Sequence, residues 1–235
     1  MGPVSTSKAE QTRAVIADAA MRLFRRDGYD ATTMRAIAAE AGVSTGNAYY
    51  YFASKEHLVQ AFYDGTQVEH AAAARQALAD ERAFAARLRA VLVAWVDVAA
   101  SDHGFAVQFF RNAADPASPL SPFSPESTPA REASTAIFRE VVEGSDLRLA
   151  PALRRELPGL LWMLHMGMVL FWVYDASDDQ ARTRLLVERV TPLVDRLLRL
   201  ARLPGVRGVV DDLVDVVALL RSDQPGGPAA PGQPG

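Results

Sequence analysis

The amino-acid sequence predicts an all-α protein with a small N-terminal helical domain and a larger C-terminal helical domain. Apolar residues recur at helical spacing along most of the chain, and capping residues and glycines mark the ends of these stretches. No stretch alternates between apolar and polar residues as a β-strand does. The 235 residues contain 49% apolar and 23% charged residues, which is ordinary globular composition and excludes disorder of the whole chain.

The first predicted helix begins at a capping box, with Ser7 as the N-cap and Glu10 three residues later. Ile16, Ala20 and Leu23 follow at helical spacing, and Gly28 ends the helix in an Asp-Gly turn. The basic residues Arg22, Arg25 and Arg26 are expected to form a solvated face, with a second nucleic-acid contact as the alternative.

Three shorter capping patterns follow. Thr32 or Thr33 begins a second helix that runs to Ala41, where Gly42 supplies a left-handed turn. Ser44 caps a short third helix that runs through Tyr51. Ser54 caps a fourth helix, which extends to about residue 79. These patterns place a domain at residues 1–53 and a connecting helix at 54–80.

The rest of the chain is predicted to form a helical domain over residues 81–222. Its helices are expected at about 81–99, 102–112, 131–144, 152–174, 178–201 and 206–221. Between two of them, prolines recur every three or four residues over 115–129, which predicts an extended, polyproline-II-like segment. This segment is either a stiff connector or a partner-binding peptide or pocket lid. Residues 223–235 are rich in proline and glycine and are predicted to be a disordered tail.

Composition excludes several classes of function. The chain has no cysteine, so it has no disulfide, no thiolate nucleophile and no cysteine-ligated metal. Its four histidines lie apart, and no nucleophile elbow or phosphate-binding glycine loop is present. We therefore expect no metal, no cofactor, no catalytic residues and no enzymatic activity.

The location and the net charge follow from similar counts. The N-terminus has no apolar signal core, and the longest apolar run, residues 159–174, is shorter than the ~20 residues that span a bilayer. We expect a cytoplasmic protein without a membrane partner. The net charge is −3, with +1 on residues 1–63 and −4 on the rest. Any nucleic-acid binding must therefore come from a local patch, which dimerisation would double.

Residues 33–52 meet the structural demands of a helix-turn-helix. Gly42 provides the turn, and apolar or small residues fill the inward positions: Ile37, Ala38, Ala41, Val43, Ala48 and Tyr51. The second helix of the motif then exposes Thr45, Gly46, Asn47, Tyr49 and Tyr50. A helix with such an exposed polar face is able to enter the major groove of DNA.

The motif carries a family resemblance. The segment Thr33-Met-Arg-x-Ile-Ala-x-x-Ala-Gly-Val-Ser-x-Gly-x-x-Tyr-x-Tyr-Phe-x-x-Lys-x-x-Leu58 lies within residues 8–62, which resemble the DNA-binding domain of the tetracycline-repressor (TetR) family of bacterial regulators. The match is long and gapless and covers about a quarter of the chain. It implies a DNA-binding role for Thr33, Arg35, Ser44, Thr45, Gly46, Asn47, Tyr49, Tyr50 and Lys55.

The resemblance also implies individual roles. Thr33 would hold a phosphate at the start of its helix, Arg35 would lie near the groove edge, and Lys55 would clamp a phosphate. Asn47 would contact adenine, which is worth ~1–3 kcal/mol of discrimination. Position 50 is often histidine in the family, so Tyr50 is a departure from the pattern.

Two apolar stripes indicate helix packing in the C-terminal domain. One comprises Leu186, Val190, Leu193, Leu197 and Leu200, and the other Val206, Val210, Leu213, Val217 and Leu220. In the family, a pair of C-terminal helices from each subunit forms a four-helix dimer interface. We therefore expect helix 178–201 to serve with 152–174 or 206–221. Packing within one subunit is the alternative.

The family resemblance implies an effector pocket in this domain. Residues 160–174 are apolar on all sides, so this helix must be buried. The candidate pocket residues are Trp95, Phe109, Arg111, Trp162, His165, Met166 and Trp172, with Arg111 able to pair with an anionic group. The alternative is that these side chains form core, with His165 as a hydrogen-bonded core residue.

These expectations combine into one function. The chain would be a homodimeric transcriptional regulator, most often a repressor, that a small apolar or aromatic effector releases from a pseudo-palindromic operator in double-stranded DNA. The alternative is a DNA-binding regulator without an effector, whose C-terminal domain is a protein-interaction or dimerisation module.

Overall fold

The computed structural model describes residues 7–115 and 118–201, without the side chains of residues 108, 109, 111 and 112. Every regular element in these ranges is helical, as the sequence predicts. The α-helices are α1 (Lys8–Asp27), α2 (Met34–Glu40), α3 (Thr45–Tyr51), α4 (Lys55–Leu78), α5 (Phe84–Ala99), α6 (His103–Ala113), α7 (Thr128–Glu143), α8 (Pro151–Val173) and α9 (Ala181–Leu200). The predicted helix 206–221 and the predicted tail lie outside the described residues.

Short-range hydrogen bonds begin the first three helices, as predicted. The Ser7 hydroxyl accepts the Glu10 N–H at 3.2 Å, and the Glu10 carboxylate accepts the Ser7 N–H at 2.7 Å. The hydroxyls of Thr33 and Ser44 each accept the backbone N–H three residues on, at 3.2 and 3.1 Å. Such caps provide partners for N–H groups that the helix itself leaves without one.

The predicted start of the fourth helix is confirmed, but the predicted side-chain cap by Ser54 is wrong. Ser54 precedes α4, but its hydroxyl caps no backbone N–H. It pairs with Nδ1 of His57 at 3.0 Å instead. The predicted glycine turns are confirmed, since Gly28 and Gly42 have φ of 88° and 68°, where a side chain would be strained.

The helix-turn-helix rests on its own apolar core. Ile16 and Phe24 of α1, Ile37 of α2 and Ala48 of α3 are fully buried together with the start of α4. Phe105 of α6 belongs to the same cluster. The core of the N-terminal domain therefore includes a side chain from the C-terminal part of the chain.

The C-terminal helices pack around α5. Helix α5 contacts α4, α7 and α9, and α8 packs against α7 and α9. Their shared core contains Leu88, Phe138, Leu161 and Trp172. The helices predicted at 81–99, 102–112, 131–144, 152–174 and 178–201 are all present, with ends that differ by three residues at most.

A buried arginine joins the C-terminal ends of two helices in this domain. Arg87 donates hydrogen bonds to the carbonyl oxygens of Leu78 at the end of α4 and of Glu81 just beyond it. It also donates to the carbonyl oxygens of Glu140 and Val141 in α7. The last carbonyls of a helix have no partner within the helix, so one guanidinium stabilises both ends.

The proline-rich segment is not extended over residues 118–127, so the polyproline-II prediction is wrong there. Backbone hydrogen bonds close successive tight turns, from Ser121 N–H to Ser118 and from Ser124 N–H to Ser121. The Ser124 hydroxyl also donates to the carbonyl oxygen of Pro119 at 2.8 Å. The serines between the prolines supply these bonds, and α7 then begins at Thr128, so Pro129 lies within its first turn.

Two helical stretches, Phe84–Val107 and Pro151–Val173, are long and apolar enough to cross a membrane by length and composition. Helix α8 begins at Pro151, eight residues before the apolar run at 159–174 begins. Both stretches contribute buried residues to the shared core. The core helices of a soluble protein have this composition as well.

Candidate DNA-binding surface and ligand cavity

The predicted reading helix presents its expected face to solvent. Thr45, Gly46 and Asn47 are exposed at the start of α3, and Tyr49 and Tyr50 are 51% and 81% exposed. On the opposite face, Ala48 is fully buried and Tyr51 is half-buried against the core. The structure therefore has the exposed and inward positions that the helical spacing predicts.

The remaining predicted DNA contacts lie around this helix. Arg35 is exposed on α2, and Thr33, Tyr49 and Lys55 line one shallow cleft. The hydroxyls of Thr33 and Ser44 are already used as helix caps. Whether they also contact DNA stays a prediction.

Lys55 has partners within the protein. Its ammonium group donates to the carbonyl oxygen of Tyr29 at 2.7 Å and lies 4.3 Å from the centroid of the Tyr29 ring. The hydroxyl of Tyr29 donates to the carboxylate of Glu56 at 2.8 Å. An ammonium has three donors, so Lys55 can still contact a phosphate, but it also ties the start of α4 to the end of α1.

The three arginines near the end of α1 each pair with an acid. Arg22 pairs with Glu40 at 3.3 Å, Arg26 with Asp27 at 2.8 Å, and Arg25 with Asp102 of the short 3₁₀ turn Ala100–Asp102. These pairs agree with the expected solvated face. The Arg25–Asp102 pair also connects the N-terminal domain to the start of α6.

A cavity of about 660 Å³ lies within the C-terminal part of the structure. Helices α4 to α8 and the turns at 118–127 line it, and most of the lining is apolar. Its size lies within the range of small-molecule sites, which also combine an apolar wall with a few polar groups.

Five of the seven predicted pocket residues line this cavity: Trp95, Trp162, His165, Met166 and Trp172. The side chains of the other two, Phe109 and Arg111, lie outside the described residues. Sequence reasoning missed the α4 wall, which includes Phe62, Gln60 and Gln67. The spacing of the two glutamines, two helical turns apart, placed them on one face, but nothing nearby indicated what that face covers.

His165 is buried in an aromatic cluster. Its ring lies 5.0 Å from that of Trp95, 5.6 Å from that of Phe138 and 6.1 Å from that of His70, between centroids. Burial, with a smaller contribution from nearby His70, lowers the pKa of His165 from 6.5 to about 3. His165 is therefore neutral at physiological pH.

Helix α6 connects the cavity to the helix-turn-helix. Phe105 lines the cavity and lies 6.1 Å from the ring of Phe24 in α1. His103 donates from Nε2 to the carbonyl oxygen of Trp172 at 2.8 Å, which ties the start of α6 to the end of α8. A change in the cavity therefore has a short route of direct contacts to α1.

Helix-turn-helix proteins present side chains to DNA on a solvent-facing helix, which a tight turn connects to a second helix. The N-terminal domain has this arrangement and is therefore a helix-turn-helix domain. Comparison with known families agrees. The profile described as "Bacterial regulatory proteins, tetR family" matches residues 16–62. The profile described as "Tetracyclin repressor-like, C-terminal domain" matches residues 87–220, more than half of the chain. The chain belongs to the TetR family and is a DNA-binding transcriptional regulator.

Curated relatives resemble the N-terminal domain. The transcriptional regulator TtgR of Pseudomonas putida is 43% identical over 63 residues, which are 27% of this chain and 30% of that protein. The transcriptional repressor KstR of Rhodococcus jostii is 41% identical over 56 residues, 24% of this chain and 26% of that protein. The matches span less than a third of these relatives.

Solved structures resemble nearly the whole described fold. A TetR regulator from Nitrosomonas europaea superposes with a TM-score of 0.60 at 21% identity, covering 78% of this chain and 97% of that one. FadR of Thermus thermophilus, a TetR-family repressor in complex with lauroyl-CoA, gives a TM-score of 0.57 at 25% identity, over 76% and 92% of the two chains. Both comparisons agree with the all-helical, two-domain fold.

Proposed function

We propose that this protein is a cytoplasmic homodimeric repressor that releases a pseudo-palindromic operator when a small apolar or aromatic molecule enters the C-terminal cavity. One observation carries this proposal. An exposed reading helix and an aromatic-lined cavity lie in one chain, with α6 in contact with both the cavity and α1. The operator would be contacted by Arg35, by Thr45, Gly46, Asn47, Tyr49 and Tyr50 of α3, and at its phosphates by Thr33, Ser44 and Lys55.

An apolar surface on α8 and α9 supports the dimer. Phe171 and Tyr174 are exposed at the end of α8, although they are large and apolar, and Met163 and Leu170 are exposed on α8 as well but also line the cavity. On α9 the predicted stripe faces outward at Leu193, Leu197 and Leu200, while its inner face is formed by Val187, Thr191 and Leu198. These exposed residues favour a dimer interface over packing within the subunit for this stripe. A second copy buries the surface and places two reading helices on two half-sites.

The effector would act by binding one arrangement of the dimer better than another. A molecule in the cavity contacts Phe105 and the wall beside Trp172, and both residues are tied to elements that reach the N-terminal domain. Differential affinity for two arrangements shifts the population away from the one that fits the operator. FadR of T. thermophilus binds lauroyl-CoA, so an acyl chain is one candidate for the apolar part of the effector.

The test begins with selection of operator fragments from the host genome, followed by anisotropy titration at two salt concentrations. We expect a pseudo-palindrome that binds far more tightly than random DNA. Asn47→Ala should relax the base preference at one position of each half-site by ~1–3 kcal/mol. Arg35→Ala should weaken binding to all DNA sequences by a similar factor and reduce the salt dependence of the binding affinity.

Two outcomes would contradict the proposal. Weak, salt-sensitive binding without a shared sequence would contradict the proposal that α3 recognises the bases of an operator. A specific operator complex that no cavity-binding molecule dissociates would contradict the proposal that a small molecule releases the operator. It would favour a regulator whose C-terminal domain serves only in dimerisation or protein interaction.

A further inference from the structure

Hydrogen-bonding atoms without a partner are concentrated at the cavity. Among the described residues, five buried side-chain nitrogen or oxygen atoms have no hydrogen-bond partner. Four belong to residues that line the cavity: Gln60 Oε1, Gln67 Nε2, His165 Nδ1 and Trp172 Nε1. The fifth is Nδ1 of His70, whose ring stacks on that of His165. Such atoms are rare in folded proteins because they destabilise the fold, so their position at one cavity indicates a missing partner.

The four atoms come in two helical pairs. Gln60 and Gln67 are seven residues apart on α4, and His165 and Trp172 are seven residues apart on α8. Seven residues make about two turns, so the members of a pair share a helix face about 10 Å apart. The Gln67 amide and the Trp172 indole are donors, and Gln60 Oε1 is an acceptor. The apolar cavity therefore has polar positions of both kinds.

The described lining contains one arginine and one carboxylate, Arg131 and Asp102, and both already have partners within the protein. Asp102 is paired with Arg25. The guanidinium of Arg131 donates to two backbone carbonyls and one hydroxyl of its own segment. Burial raises the pKa of Tyr63 and lowers that of His165, so both are neutral at physiological pH. Against this described lining, an anion would lose its hydration and would have to compete for Arg131 with three neutral acceptors, and a cation would have to compete with Arg25 for Asp102.

We propose that the cavity binds an uncharged, largely apolar molecule with at least one hydrogen-bond acceptor, such as a ketone or an ester, held by the donors on α4 and α8. A free carboxylate or a coenzyme A thioester with its phosphates falls outside this class. The regulatory meaning of this inference rests on the proposed function, but the binding itself requires no DNA.

Three probes of nearly equal size test the inference: 2-acetylnaphthalene, 2-isopropylnaphthalene and 2-naphthoate. Each is titrated into the full chain without DNA and followed by calorimetry. Tryptophan fluorescence gives a second readout, because all three tryptophans line the cavity. We expect 2-acetylnaphthalene to bind at least tenfold more tightly than 2-naphthoate, since only the carboxylate brings a charge.

Variants locate the polar contact. Gln67→Leu keeps a side chain of similar size and removes the donor. It should weaken the binding of 2-acetylnaphthalene about fivefold relative to the binding of 2-isopropylnaphthalene. Gln60→Leu is a second variant, which should leave this ratio unchanged, because its unpartnered atom is an acceptor. Gln76→Leu is the matched control, because Gln76 is exposed on the same helix away from the cavity.

Three results would overturn the inference: binding of 2-naphthoate as tight as that of the ketone, an equal effect of Gln67→Leu on all three probes, or no binding of any probe. A separate measurement distinguishes this failure from that of the proposed function. If 2-acetylnaphthalene binds as expected but no uncharged ligand displaces the operator, the cavity chemistry stands and the effector role fails. If 2-naphthoate binds best and releases the operator, the effector role stands and the ligand class is wrong.

Discussion

The buried His165 should make the protein sensitive to acid. In the unfolded chain its pKa is near 6.5, and in the folded protein burial lowers the pKa to about 3. As the pH falls below 6.5, the unfolded state takes up a proton that the folded state does not accept. The contribution of His165 is therefore complete above pH 6.5 and decreases as the pH falls, by up to ~1.4 kcal/mol per pH unit. Between pH 7 and pH 5 this amounts to about 2 kcal/mol.

The assay is urea unfolding at fixed protein concentration at pH 7, 6 and 5, for the wild type and His165→Phe. A phenyl ring keeps the aromatic contacts with Trp95 and Phe138 and does not titrate. The wild type should lose about 2 kcal/mol more than the variant between pH 7 and pH 5. His57→Gln, at an exposed site, should behave as the wild type does. Parallel pH profiles for wild type and His165→Phe would refute the reasoning.

Three other changes test the dimer, the packing and the connection between the domains. Leu197→Glu places a charge on the exposed apolar stripe of α9, and sedimentation equilibrium should show monomers with weakened operator binding. Arg87→Met removes the guanidinium from four backbone carbonyls, of which that of Glu140 keeps a second donor, the N–H of Gly144, and thermal unfolding should show a loss of about 3 kcal/mol. Arg25→Gln breaks the half-exposed pair with Asp102, which is worth at most about 1 kcal/mol. Ligand titrations should give an unchanged affinity for the free protein, while ligand-induced loss of operator affinity decreases by up to about fivefold. An unaltered oligomer, melting temperature or ligand response would contradict the respective argument.

The sequence predicts the helix-turn-helix well because the residues that determine its fold lie close together in the chain. The caps at Ser7, Thr33 and Ser44 each act over three residues, and Gly42 sets the turn by its own backbone conformation. A continuous motif therefore contains nearly all the information for its fold. The family resemblance then supplied the roles of the exposed residues, which local physics alone leaves open.

Long-range contacts explain what the sequence did not predict. Lys55 bonds to Tyr29, 26 residues earlier, and no periodicity indicates that pairing. In the turns at 118–127, proline spacing suggested an extended chain, but the serine hydroxyls close turns that the spacing does not encode. The glutamines on α4 line the same cavity as His165 of α8, about 100 residues later in the chain, and no local pattern encodes that placement.

Phe105 shows how the two proposed sites are connected. It is 4% exposed, belongs to the core that supports the helix-turn-helix, and also lines the cavity. Its ring lies 6.1 Å from that of Phe24 in α1 and 5.8 Å from that of Phe62 in α4, between centroids. A ligand that moves this ring must change the packing of α1 directly, because close-packed side chains do not move independently. The two domains therefore share a side chain, and coupling between them requires no longer chain of contacts.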